Sequence, residues 1–239
     1  GDLLSLIPDL AYQAMMLPLG PTRRGILYLN DPAIVAHVLA DPEGIFPKND
    51  LMVDAVEPLI GDAMFVSSGE TWRQQRRMIE PAFSHMRLNR AFAQMEGAVD
   101  DHERWLDERF AKDEAYSLDA AMGHLTADVI TRTIFSTPLH VGAARDVFEA
   151  FTVFERQVAS VNVKALILDK PWSRTKQPPE VLEACRRIRA HIGTMLDPRL
   201  APGAAPIDDI AGAAIAAVDP ETGKTFSREE LVDELGVFF

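Results

Sequence analysis

A tryptophan and an arginine four residues apart, Trp72 and Arg76, are the residues of this 239-residue chain whose spacing most directly suggests chemistry. They lie in the segment GETWRQQRRMI, where Ser67 or Ser68 as an N-cap and Glu70 in the first turn predict a helix. Residues at i and i+4 share a helix face, so the indole N–H and the guanidinium would point the same way. Both groups only donate hydrogen bonds. The spacing alone therefore indicates a binding site for an anion, with a surface cation–π pair as the alternative.

The overall composition gives a background against which this cationic segment stands out. The chain carries 24 Lys plus Arg against 36 Asp plus Glu, a formal net charge of -12, and 47% hydrophobic residues. These values predict a folded protein that coats neither nucleic acid nor an anionic membrane, because net repulsion opposes both. No run approaches the roughly 20 apolar residues of a membrane span, and a single cysteine forms no internal disulfide. We expect a soluble, cytoplasmic protein.

The elements that must position the pair are mainly helical. Apolar spacing and breakers predict longer helices over about 69–84, 88–110, 118–135, 143–160 and 179–197. A short β-like run covers Ile26 to Leu29, and a helix begins at Pro32 with Asp31 as its cap. Residues 43–66 look irregular, and residues 166–180 are expected to form a loop. The prediction is a mainly α fold with a small β region, in one domain over 1–239.

The last segment has the pattern of a capped helix that lacks a stop signal. Ser227 with Glu230 three residues later is a capping box, and the chain then becomes more apolar up to Phe239. No glycine, proline or polar cap follows Val237, so four carbonyls would stay without partners. We expect this chain to be the front part of a longer protein.

Other chemistries are not favoured by the residue spacing. Cys185 shares a predicted helix face with Val181, Ile188 and Ile192, which indicates a small buried hydrophobe. No histidine pair has metal-binding helical spacing; His102 in the DHE triplet is expected to be exposed, and His124 to be a satisfied interior histidine. The TGKT sequence at 222–225 lacks the first glycine of a phosphate loop and predicts a turn, DPETG.

Several segments together resemble a known family. GETWRQQRRMIEPAFS is similar to the helix that follows the first long loop in the cytochrome P-450 family, the haem-thiolate monooxygenases. YLNDPAIVAHVLADPEGIFPKN, HLTADVITRTIFSTP and IDDIAGAAIAAVDPETGKTFSREELVDELGVFF resemble further segments of that family in the same order. The resemblance covers nearly the whole chain. It implies the N-terminal portion of the cytochrome P-450 fold, ending at the start of the long central helix.

The resemblance implies a haem b cofactor. Trp72 and Arg76 occupy the positions that bind haem propionates in the family, which would supply the anion. Met64 and Phe65 resemble residues that touch the porphyrin and the substrate. Arg73 and Arg77 would face the surface where a ferredoxin or flavodoxin-type electron donor docks, and a solvated helix face is the alternative reading for both.

The resemblance also implies a substrate pocket, bounded by the loop over 51–65 and a lid over 158–179. Its candidate residues are Val56, Leu59, Ile60, Val161, Leu166 and Val237. Their apolar character indicates a small apolar organic substrate. The family's iron-ligating cysteine belongs to a late loop whose pattern does not occur here, and Cys185 is not a substitute. The chain is therefore expected to contain no metal ligand and no catalytic residue of its own.

The implied activity is that of a haem-dependent monooxygenase, which inserts one atom of dioxygen into the substrate with electrons from a redox partner. The alternative is a non-catalytic helical binding or interaction module on the same scaffold, lacking the haem ligand.

Overall fold

The structure is a computed structural model that describes residues 8–19, 26–41, 44–83, 85–139, 141–158 and 176–239. It divides into two compact units. The first consists of Gly1–Leu51 and Ser160–Lys176, and the second of Met52–Ala159 and Gln177–Phe239.

Among its described residues, the first unit contains a short 3-10 helix (Asp9–Tyr12), a two-stranded antiparallel sheet and one α-helix. Strand β1 (Met16–Leu19) pairs with β2 (Ile26–Leu29), with Met16 opposite Leu29. Helix α1 (Pro32–Ala40) begins after Asp31, whose carboxylate accepts hydrogen bonds from the backbone N–H groups of Ala33 and Ile34 at 2.9 and 3.0 Å. The predicted strand and the proline-initiated, aspartate-capped helix are confirmed.

Helix α2 (Asp50–Ile60) corrects the prediction that residues 43–66 are irregular. Much of the loop expected over 51–65 is therefore helical. Pro58 lies in the last turn of α2, where it reads as a helix breaker in the sequence. Its neighbours Leu59 and Ile60 are only 2% and 5% exposed, so tertiary burial outweighs the local signal.

Most helices of the second unit agree with the sequence prediction to within a few residues, whereas α2 and the short helix over Ile210–Ile215 were not predicted. After α2 the helices are α3 (Gly69–Ile79), α4 (His85–Ala111), α5 (Leu118–Phe135), α6 (Val141–Val158), α7 (Pro179–Leu200), α8 (Ile210–Ile215) and α9 (Arg228–Gly236). A 3-10 turn, Glu80–Phe83, follows α3 and contains Pro81, which disfavours continuation of the α-helix. Helix α6 packs on α7, α4 on α5, and α9 on α7.

The core of the second unit centres on one face of α7. Val181, Cys185, Ile188 and Ile192 are each at most 2% exposed, and they follow the i, i+4, i+7 spacing of a buried stripe. Burial raises the pKa of the Cys185 thiol to about 11, so this sulfur stays a protonated, small hydrophobe. The expectation for Cys185 is confirmed.

A glycine and an arginine join α2 to α7 and α9. Gly61 follows α2 with φ 52°, and a Cβ there would overlap the carboxylate of Asp233 on α9. Arg189 on α7 donates to the Leu59 carbonyl at 2.9 Å and pairs with Asp233 at 2.7 Å. These contacts fix the end of α2 against the middle of α9.

The capping box at the start of α9 is confirmed. Ser227 Oγ accepts from the Glu230 N–H at 3.3 Å, and the Glu230 carboxylate accepts from the Ser227 N–H at 2.8 Å. The helix ends at Gly236, and the Phe238 ring packs 5.6 Å from the Phe83 ring. Across the described ranges, every helix is too short or too polar to cross a membrane.

The two histidines of the α4–α5 pair differ from their predictions. His102 is only 7% exposed, because the face of α4 that carries it packs against α5, so the expectation of an exposed DHE triplet was wrong for this residue. His124 is half-buried, but its Nε2 has no hydrogen-bond partner in the described part of the chain. It is therefore an interior histidine that is not fully satisfied.

Candidate functional site

Helix α3 is held by its buried side. Gln75, Met78 and Ile79 are its buried residues. The Gln75 amide donates to the Asp62 carbonyl at 2.7 Å, and the Ser67 hydroxyl donates to the Gln75 amide oxygen. Ser68 occupies the N-cap position but its side chain makes no capping bond. Ser67 thus anchors the helix through Gln75 rather than through a cap.

The outward side of α3 carries the Trp72 and Arg76 pair. Trp72 is 38% exposed, and the Arg76 side chain is 52% exposed. Arg76 makes a long ion pair with Glu80, 4.0 Å between nitrogen and oxygen. A half-exposed pair at that distance contributes little stability. The guanidinium and the indole therefore remain accessible to an added anion.

The two other arginines of α3 lie in different surroundings. Arg73 pairs with Glu70 at 3.5 Å, and its side chain is 58% exposed. Arg77 is 26% exposed and contacts three carboxylates: Asp219 at 3.2 Å, Glu70 at 3.3 Å and Glu221 at 3.1 Å. Arg77 is thus committed to contacts within the chain, whereas Arg73 faces solvent.

Asp219 connects α3 to the turn before α9. It is fully buried and accepts hydrogen bonds from Thr222 at 2.6 Å, from Gln74 at 2.9 Å and from Arg77 at 3.2 Å. The hydrogen bonds from Thr222 and Gln74, followed by that from Arg77, hold the pKa of the Asp219 carboxyl well below its usual range. An ionised Asp219 therefore gives α3 a second attachment in addition to its buried core contacts.

The sequence indicated the turn but not this network. The turn DPETG is confirmed, since the Gly223 N–H donates to the Asp219 carbonyl and Val218 forms a bridge with Thr225. The partners Gln74 and Arg77 lie more than 140 residues away. An aspartate three residues before a threonine predicts only a local side-chain bond, so no signal in the sequence pointed to α3.

Met64 and Phe65 lie in the segment between α2 and α3. Phe65 is 47% exposed, and Met64 packs partly buried against the core. The Met64 N–H donates to the Glu234 carboxylate of α9 at 3.1 Å. Glu234 is 2% exposed, and this burial raises the pKa of its carboxyl to about 7. A buried carboxyl group with a pKa near 7 thus holds the backbone just ahead of α3.

The candidate pocket residues are only partly described. Leu59 and Ile60 belong to the buried core, and Val56 and Val237 pack partly buried against it. Val161, Leu166 and the lid between α6 and α7, apart from its ends, lie outside the described residues. The role of all six as substrate-contacting residues stays a prediction.

The chain belongs to the cytochrome P450 family, whose model matches residues 12–239. This agrees with the mainly helical architecture, the small antiparallel sheet and the placement of Trp72 and Arg76 together on α3. The resemblance noted in the sequence is confirmed.

Relatives with named activities share most of this chain. It is 28% identical over 225 residues to cyclooctat-9-en-7-ol 5-monooxygenase of Streptomyces melanosporofaciens, covering 92% of this chain and 46% of that protein. It is 23% identical over 220 residues to cytokinin hydroxylase of Arabidopsis thaliana, covering 89% and 42%. The chain thus spans about half the length of the curated relatives it matches.

A solved structure has the same fold. The crystal structure of the cytochrome P450 CYP102L1 superposes with a TM-score of 0.67 at 16% identity, covering 95% of this chain and 49% of that one. The expected N-terminal portion of the cytochrome P450 fold is therefore confirmed.

Proposed function

We propose that this chain is the N-terminal part of a haem-dependent monooxygenase that inserts one atom of dioxygen into an apolar organic substrate. The observation that carries the proposal is the accessible donor pair on α3, Trp72 and Arg76, in a chain that belongs to the cytochrome P450 family. We further propose that the complete protein is soluble and cytoplasmic.

The residues of α3 fit a haem b through its propionates. A propionate is a carboxylate, so it accepts hydrogen bonds. The indole N–H and the guanidinium only donate them, so the groups are complementary. Arg76 is held by Glu80 only at 4.0 Å, so a propionate can replace that contact at small cost. Trp72 and Arg76 would hold and orient the group, and Phe65, 47% exposed, would add an apolar contact together with Met64.

The bound haem would supply the activation of dioxygen and its transfer to the substrate. The protein's own contribution in this chain is positional. Asp219 holds Gln74 and Arg77, and these two residues keep α3 oriented so that Trp72 and Arg76 face outward. Glu234 fixes the backbone at Met64, which places the segment before α3.

The substrate class follows from this chain's own side chains. The candidate pocket residues Val56, Leu59, Ile60, Val161, Leu166 and Val237 are all apolar. Burial of apolar surface is the main favourable term that the partly exposed Val56 and Val237 offer a ligand, whereas Leu59 and Ile60 are already buried in the core. Since the names of two relatives mention chemically different compounds, cyclooctat-9-en-7-ol and cytokinin, the proposal stops at a small apolar organic molecule.

Electron supply is assigned to a ferredoxin or flavodoxin-type donor that docks beside α3. Arg73 is the better-placed docking residue, because it is exposed and, within the described ranges, its ion pair is with the exposed Glu70. Arg77 contributes its charge from a more enclosed position, where Asp219, Glu70 and Glu221 already balance it.

The experiment is an optical spectrum of the protein purified from its full reading frame, reduced with dithionite and exposed to carbon monoxide. A strongly red-shifted Soret band is the expected result, because it reports haem with a thiolate ligand. Absence of haem absorption after reconstitution with haem would contradict the proposal and favour the non-catalytic binding module.

A further inference from the structure

The carboxyl group of Glu234 on α9 lies against the segment over 61–68 that joins α2 to α3. Glu234 is 2% exposed, and both of its carboxyl oxygens accept from the Met64 N–H, at 3.1 and 3.3 Å. Asp62 and Phe65, in the same segment as Met64, are exposed. An exposed segment without regular secondary structure therefore covers part of a buried acid.

Burial and neighbouring charges both disfavour the ionised form of Glu234. Burial is the larger cause, and Asp233, Asp62 and Glu230 add repulsion. One backbone N–H, from Met64, opposes them. A buried carboxylate usually needs several donors or a cation to stay charged. The closed arrangement therefore favours the protonated acid, and the pKa of Glu234 is raised to about 7.

Cations on the elements next to Glu234 are paired with other carboxylates. Arg189 of α7 pairs with Asp233 at 2.7 Å, and Lys224, in the turn before α9, pairs with Glu230 at 2.7 Å. Glu234 itself forms no ion pair with any residue that the structure describes. Water is then the remaining source of stabilisation for an ionised Glu234, and water reaches it when the covering segment moves.

The covering segment is also attached to α3. The Asp62 carbonyl accepts from the Gln75 amide at 2.7 Å, and the Ser67 hydroxyl donates to the oxygen of the same amide. Gln75 lies on the buried side of α3, three residues after Trp72 and one before Arg76. A displacement of the segment therefore reaches the helix that presents the donor pair.

Opening of the segment and ionisation of Glu234 are linked. Opening exposes the carboxyl group to water, which returns its pKa towards the ordinary value of 4.5. Between pH 4.5 and about 7 the closed form keeps a proton that the open form releases, so opening becomes more favourable as pH rises. The pKa change from about 7 to 4.5 allows the opening equilibrium to increase up to roughly 300-fold, complete near pH 7.

We propose that Glu234 is a proton-dependent latch for the segment over 61–68, closed when the acid is protonated and released when it is ionised, and that this latch controls how firmly α3 holds the haem propionates. Glu234 is a positioning residue, because it acts through Met64 and α3. The haem part of the proposal rests on the proposed function, whereas the movement of the segment does not.

The first experiment is hydrogen exchange, followed by mass spectrometry, of peptides covering 61–68 in the protein purified from its full reading frame. Exchange is measured from pH 4.5 to 8.5 and divided by the chemical exchange rate at each pH. We expect opening to increase about 30- to 300-fold up to pH 7 and to level off above it. Glu234→Gln keeps an acceptor for the Met64 N–H but cannot ionise, so its profile should be nearly flat.

Glu183→Gln is the matched control, because it makes the same change on α7 at a side chain that is 57% exposed and paired with Arg186. It should reproduce the profile of the parent protein. A flat parent profile would overturn the latch, and so would a Glu234→Gln profile that rises as steeply as the parent's. If Glu234→Gln does not fold, the parent profile alone decides.

Haem transfer to an apoglobin tests the link to α3. The ratio of the parent's rate of haem loss to that of Glu234→Gln should rise about three- to thirtyfold between pH 5 and pH 8. The ratio removes pH effects that both proteins share. A constant ratio would overturn the control of haem by the latch. A full-length protein that binds no haem would contradict the proposed function instead, and hydrogen exchange would still decide whether the latch exists.

Discussion

Arg76 on α3 and Arg132 on α5 differ in their surroundings. These surroundings determine whether a guanidinium is available to bind a ligand or stabilises the fold. Arg76 is half-exposed with one carboxylate at 4.0 Å. The Arg132 side chain is 11% exposed, and it contacts Asp128 at 2.9 Å and Asp101 at 2.5 Å. The Asp128 carboxylate also accepts from the Leu139 N–H at 2.7 Å. The first arginine has donors available for a ligand, whereas the charge of the second is already balanced by two carboxylates.

The number of arginines in a segment does not by itself locate a binding site. Arg77 lies one residue from Arg76, yet Asp219 and two glutamates bind it within the chain. A guanidinium whose carboxylates are supplied by the fold stabilises helix packing. One whose carboxylate is distant and solvated is available to an anion from outside.

Replacing the buried arginine, Arg132, is expected to change stability the most. Arg132→Ala should lower the free energy of unfolding by about 3–5 kcal/mol, because it leaves Asp128 buried without its cation. The measurement is urea unfolding of the full-length protein. Arg186→Ala is the control, since Arg186 is 66% exposed and pairs with Glu183 on the same helix. A loss for Arg132→Ala no larger than that of the control would show that the α4–α5 network contributes little.

The second prediction concerns a buried carboxyl group, Glu234, which accepts a hydrogen bond from the Met64 backbone N–H rather than from a guanidinium. Its pKa is raised to about 7 by burial, from an ordinary value of 4.5. Between these values the folded protein keeps a proton that the unfolded chain releases, so the free energy of unfolding falls as pH rises through this window. The resulting decrease in the free energy of unfolding is about 3 kcal/mol, and it is complete above pH 7.

Glu234→Gln should remove this dependence. We expect the variant to be the more stable protein at pH 8 and to approach the parent protein well below the ordinary pKa of 4.5, where Glu234 is protonated in both states. Urea unfolding at a series of pH values measures the difference. Parallel pH profiles for the two proteins would contradict the raised pKa.

The third prediction tests the open side of the comparison. Arg76→Ala should speed haem loss roughly ten- to hundredfold, the effect of removing a charged hydrogen-bond donor from a propionate. Transfer of haem to an apoglobin measures the rate. Arg73→Ala is the matched control on the same helix, with a similarly exposed side chain. Equal rates for both variants would remove Arg76 from the propionate site.

The smallest expected effect concerns the electron donor. Arg73→Glu should slow reduction by a ferredoxin-type donor a few-fold at low salt, and the difference should vanish at high salt because exposed charges are screened. Stopped-flow reduction measures it, with Arg186→Glu on α7 as the control. A salt-independent change would indicate an altered fold rather than a docking contact.

Much of the helical framework could be predicted from the sequence because its signals are local. The Asp31 and Ser227 caps and the bounds of α5 depend on residues within a few positions of one another. Helix α2 was missed because Pro58 is a local breaker, and burial of Leu59 and Ile60 overrides it. His102 was misjudged because an acidic neighbour on each side suggests a solvated face, whereas its own side chain packs toward α5.

Residue types and short spacings by themselves determined that Trp72 and Arg76 share one face, that Cys185 is a core residue, and that the chain resembles the cytochrome P450 family. Which charged groups remain available to a ligand depends on the tertiary structure. The fold brings Arg77 and Gln74 into contact with the buried Asp219, which is more than 140 residues away in the sequence. It also places His102 and His124 in the lining of one cavity. The physical reason is that hydrogen bonding and desolvation depend on which groups meet in space, and helix periodicity orders neighbours only within one element.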